Sequence, residues 1–79
     1  MKVNPSALKH GISKTDILYA AENWAYASDP DDDMPAKQFV LGFDRSGRLL
    51  ELTILTFDSG NQLVIHAMKA RRQYLRLLA

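Results

Sequence analysis

The chain has 79 residues, 47% of them hydrophobic, with ten basic and nine acidic side chains and a net charge of +1. That length holds one domain spanning residues 1–79 with a thin core, since so small a fold buries roughly 60% of its unfolded surface. The absence of cysteine excludes disulfide staples and thiolate metal sites and fits a reducing cytoplasm, and two histidines do not supply an ordinary zinc set, so no metal or other cofactor is expected.

In chain order, "NPSALKHG" reads as a short helical turn, with Pro5 at a first helical position and Gly11 at the C′ position. This N-terminus has no long apolar run, so no signal peptide is expected, and no segment approaches the roughly 20 apolar residues of a membrane span. "ISKTDILYAAENWAYAS" predicts a long helix. Ser13 is its N-cap, Asp16 stands at the capping-box position, and Ile12 is placed to staple onto Ile17. Ile17, Ala20, Ala21, Trp24 and Ala25 form its apolar stripe, Tyr19 and Tyr26 lie two turns apart on one side, and Pro30 sets its end near Ser28.

"DPDDDMP" is a loop, and its four aspartates are expected to be a solvated connector rather than a metal site. Three strands follow, "KQFVLGF", "RLLELTILTF" and "QLVIHA", joined by the turns "DRSG" and "DSGN". The middle one is apolar on both faces and so should be central. Trp24, Phe39, Phe43 and Phe57 are assigned to the core. By strand alternation His66 shares a face with Val64 and Gln62. "KARRQYLRLL" predicts a second helix of about three turns, with Tyr74, Leu77 and Leu78 on one side and Lys69, Arg72 and Arg76 on another. The fold class is α+β, a three-stranded antiparallel meander packed with an N-terminal and a C-terminal helix in the order α-β-β-β-α, with one or both helices on one face of the sheet.

Charge is unevenly divided. Residues 1–36 carry three lysines against six acids, a sum of −3, whereas residues 37–79 carry seven basic side chains against three acids, a sum of +4. One surface should therefore favour anions and another repel them.

"KHGIS" before an amphipathic helix, then "FVLGFDRSGRLLELTIL", then "IHAMKARRQY", resembles the BrnT-type toxin family. The frame "HGIS…GRLLE…IHAM…R" is more closely similar to short uncharacterised bacterial proteins related to it. The resemblance covers nearly the whole chain. It implies a RelE-like fold, metal-independent cleavage of RNA, an antitoxin protein as partner and a cytoplasmic location. His66 stands where that family has Ser, Met68 where it has its first Arg, and Arg71 where it has Thr, while Lys69 and Ala70 match. The family's opening strand is absent or cut short.

RNA cleavage of this kind needs a base for the 2′-hydroxyl, an acid for the leaving 5′-oxygen and cations for the phosphorane. His66, His10, Lys69 and Tyr74 are the candidate catalytic residues. Lys69, Arg71, Arg72 and Arg76 are the candidate phosphate-binding ones. Each also has a structural reading: His66 bonds a neighbouring carbonyl, His10 caps the short helix or contacts the sheet, and the basic helix presents a solvated face. Met68 in place of Arg, and a basic helix shorter than the one the resemblance implies, motivate a second reading, a non-catalytic module whose basic helix binds a protein or nucleic acid. An edge strand, "KQFVLGF" or "QLVIHA", is the expected route to a homodimer.

Overall fold

The computed structural model describes all residues, 1–79. The elements are β1 (Lys2–Val3), a 3-10 turn (Pro5–Leu8), α1 (Lys14–Glu22), β2 (Trp24–Ala27), β3 (Ala36–Phe43), β4 (Leu49–Thr56), β5 (Gln62–Lys69) and a C-terminal 3-10 helix (Arg72–Leu78). The fold is α+β. Its sheet has five strands in the order β1-β5-β4-β3-β2, antiparallel except for the parallel pair of β1 and β5. No helix is long and apolar enough to cross a membrane.

The expected meander is present as β3, β4 and β5, with β4 at the centre of the sheet. Its turns carry Gly47 and Gly60 at φ 81° and 89°, the left-handed conformation that glycine adopts without a Cβ penalty. Neither run expected to offer an edge for a second copy, "KQFVLGF" or "QLVIHA", is an outermost strand of the sheet. β2 pairs with Val40–Gly42 of β3, and β1 pairs with Leu63 and Val64 of β5.

The long N-terminal helix is corrected. Its start is as expected: Ser13 accepts the Asp16 N–H, and Ile12 and Ile17 are both buried. The Asp16 carboxylate reaches Arg48 at 3.7 Å instead of turning back on the cap. The helix stops at Glu22, where Asn23 leaves helical geometry and caps the Tyr19 carbonyl through both its backbone N–H and its side-chain amide. Trp24–Ala27 then pair with β3 as the edge strand β2. An alternating apolar run such as "WAYA" fits either period, and a free β3 edge decided between them. Trp24 and Ala25 therefore leave the helical stripe, and Tyr26 no longer shares a helix side with Tyr19.

The aromatic core assignment is also corrected. Trp24, Phe43 and Phe57 are exposed, and Phe39 is half-buried. Ala7, Ile12, Ile17, Ala20, Ala21, Val40, Leu50, Leu52, Ile54, Val64 and Ala67 form the core instead, between α1 with the first 3-10 turn and one face of the sheet. Small residues dominate α1's buried stripe because its backbone lies directly on the sheet. A Cβ added at Gly42 would overlap the Ala20 carbonyl.

The predicted final α-helix is replaced. β5 runs on to Lys69, Arg71 is extended (φ −76°, ψ 149°), and only then does a 3-10 helix begin. The expected i, i+3, i+7 cationic face therefore does not form across Lys69, Arg72 and Arg76. In a three-residue period, side chains three apart eclipse. Tyr74 and Leu77 accordingly point inward together, while Leu75 and Leu78 are exposed, the last against expectation.

Candidate functional site

The site is built on the sheet face opposite α1. Leu50, Leu52 and Ile54 of β4 point into the core, so Glu51 and Thr53 point the other way. Glu51 is nevertheless buried, with its side chain 1% exposed. A carboxylate placed so needs full hydrogen bonding to stay ionised. It receives it: Arg71 donates from its backbone N–H (3.1 Å) and Nε (2.9 Å) to Oε1 and from Nη2 (2.8 Å) to Oε2, and His66 Nε2 is 3.1 Å from Oε2. Burial alone would raise the Glu51 carboxyl. The Arg71 guanidinium, the Arg71 N–H and the His66 ring outweigh it and hold the group below its ordinary value, while Glu51 in turn raises Arg71.

A bulge decides where His66 points. Thr53 faces His66, and the next residue, Ile54, faces Val64, so Ile65 is an extra residue in β5. The register slip returns both Val64 and Ala67 to the core and puts His66 beside Glu51, away from Val64 and Gln62. Simple alternation had assigned it to their face. The His66 side chain is 27% exposed. His10 lies over it edge to face, with ring centres 5.6 Å apart. The turn at Gly11 (φ 80°) lets the chain leave the first 3-10 turn beside β5, and the Ser6 hydroxyl donates to the Ile65 carbonyl and ties the two together.

Of the expected site residues, His66, His10, Arg71 and Tyr74 are brought together. Tyr74 packs on Phe39 with ring centres 4.6 Å apart and carries the Arg71 guanidinium 5.4 Å from its ring centre. Its face is thereby occupied, so it supports Arg71 and is not an open stacking platform. Lys69 is exposed at the end of β5, opposite Leu50. Arg72 and Arg76 are exposed on the 3-10 helix and form no ion pair.

Glu51 is the residue that sequence reasoning missed. A lone acid inside "LLELTIL" was the available signal, because an ionisable group in the central strand of a thin core is costly unless partners are supplied.

With Glu51 ionised, His66 Nε2 carries the hydrogen and donates, which leaves Nδ1 of the neutral ring as a proton acceptor. A second imidazole stands within one ring's reach. The arrangement can therefore take a proton at one histidine and give one from the other. Comparison with protein-family models, with curated proteins and with solved structures gives no match.

Proposed function

We propose that this chain is a toxin-like, metal-independent endoribonuclease of a bacterial toxin–antitoxin pair, with a RelE-like arrangement, acting in the cytoplasm. The observation that carries the reading is the His10–His66 contact backed by the buried Glu51 carboxylate. His66 Nδ1 removes the 2′-hydroxyl proton, and the freed O2′ attacks phosphorus. The bond to O5′ breaks as His10 protonates it, leaving a 2′,3′-cyclic phosphate. Glu51 fixes the His66 ring and balances the imidazolium that forms, the service a buried carboxylate gives a catalytic histidine. Exposed Arg72 and Arg76 supply positive charge for the RNA phosphates, whereas Lys69, opposite Leu50, stands on the other face of the sheet. Purified chain, freed of any antitoxin, is expected to cleave RNA in EDTA, with His66→Ala abolishing the activity and His10→Ala lowering it at least 100-fold. Undiminished cleavage by the double variant overturns the assignment.

The second reading, a non-catalytic module that binds a protein or nucleic acid, is favoured by one observation. Arg71, which shares the Glu51 carboxylate with His66, is already committed to it, so its guanidinium is not free for a phosphate. It expects harmless overexpression, no cleavage, and binding that weakens as salt rises.

A further inference from the structure

The strand register converts the uneven charge of the two halves of the sequence into two poles. Phe43 faces Leu49, Leu50 faces Lys69, and the Ala70 N–H donates to the Leu49 carbonyl at 2.9 Å. The β3–β4 turn, with Arg45 and Arg48, therefore stands at the same end of the sheet as Lys69, Arg71 and Arg72. Three acids near this end are bound to arginines, Asp44 and Asp16 to Arg48 at 2.8 and 3.7 Å and Glu51 to Arg71 at 2.8 Å, while Glu22, just before Trp24 opposite Gly42, forms no ion pair. Arg45 and Arg72 are exposed and unpaired here, while Lys69, opposite Leu50, stands on the α1 side of the sheet, across from His66. At the opposite end Ala36 faces Thr56 and Thr56 faces Gln62. Asp29, Asp31, Asp32 and Asp33 of the β2–β3 loop and Asp58 of the β4–β5 turn gather there, against Lys2 and Lys37.

We propose that the β3–β4 turn is a second phosphate-binding site, in which Arg45 holds the backbone of single-stranded RNA running from His66 past Arg72 to the turn. The assignment of the ligand as RNA rests on the ribonuclease reading above. The end of β5 at Lys69 is three steps along the strand from His66, about 10 Å at the rise of a strand, so an RNA of several nucleotides is needed to reach from His66 to the turn. The acidic pole repels the polyanion and sets which end of the sheet it crosses.

The test is fluorescence anisotropy with a labelled single-stranded RNA 12-mer in EDTA, on the His66→Ala background so that the probe stays intact, over a range of salt. Arg45→Ala is expected to weaken binding about fivefold and to reduce the slope of log K against log salt by about 0.7, the loss of one single-strand phosphate contact. Lys37→Ala, at the acidic pole, is expected to change affinity less than twofold. Equal effects of the two variants would mean that net charge alone is sensed, and no effect of Arg45→Ala would remove the contact; either overturns the proposal. Poly-glutamate binding more tightly than RNA with the same dependence on Arg45 would also overturn it, by making the turn a site for acidic protein. Cleavage of a dinucleotide, too short to reach the turn, separates this inference from the activity. It depends on His66 and His10 and is unchanged by Arg45→Ala. If the dinucleotide is not cut at all, the ribonuclease reading fails, while the anisotropy still decides the Arg45 contact.

Discussion

The two faces of the sheet are closed by opposite means. Against α1 the sheet buries Leu50, Leu52, Ile54, Val64 and Ala67 under alanines and isoleucines, with no charged group among them. On the other face Leu41 and Glu51 lie buried, and the chain after β5 is drawn across them by hydrogen bonds to one carboxylate. The first face is held by non-directional attraction and close approach. The second is held by a few directional bonds that are strongest while Glu51 is ionised. The first should therefore answer to volume, the second to pH and to pairing.

The largest expected effect is on the first face. Gly42→Ala forces a Cβ into the backbone carbonyl of Ala20, which has no side-chain freedom to yield, and should remove most of the roughly 3–5 kcal/mol that so small a core supplies. Urea denaturation would show it as a chain unfolded, or nearly so, without denaturant. Leu52→Ala comes next, at about 3 kcal/mol, and this loss should be the same at pH 4 and pH 7 because no titrating group is involved.

Disruption of the second face should differ in kind. Arg71→Ala strands the buried Glu51 carboxylate and should destabilise less than Leu52→Ala but clearly at neutral pH. The pH dependence follows from the lowered Glu51 value. The stability that the network contributes is complete above the ordinary carboxyl value of 4.5 and is lost as pH falls through the lower folded value. The gap between Arg71→Ala and the parent should therefore narrow in acid. Replacing both partners, Glu51→Leu with Arg71→Met, should recover much of the single-variant loss. Failure to recover would mean that the network specifies the path of the C-terminal segment as well as stabilising it. The smallest effect belongs to Arg72→Ala, within about 0.5 kcal/mol of the parent, because this exposed side chain forms no ion pair.

Local signals carried much of the fold. The β3–β4–β5 meander followed from apolar runs bounded by Asp-and-Gly turns, and the start of α1 from Ser13 with Ile12 and Ile17 around it. The ends of elements were less legible. "WAYA" satisfies both helical and strand periods, and "KARRQYLRLL" has good helix formers throughout, yet Arg71 is extended because its N–H and guanidinium are both claimed by Glu51, twenty residues earlier. The candidate site was half legible. His66, His10 and Arg71 were visible as residue types, but not Glu51 as their common anchor.

The sequence by itself determined what is local: turns that require glycine, caps, the central apolar strand and the unequal charge of the two halves. Tertiary structure alone decided the bulge at Ile65, the face on which His66 stands and the gathering of charge into two poles. Each depends on register between strands distant along the chain, where one extra residue turns a side chain from the core to the opposite face.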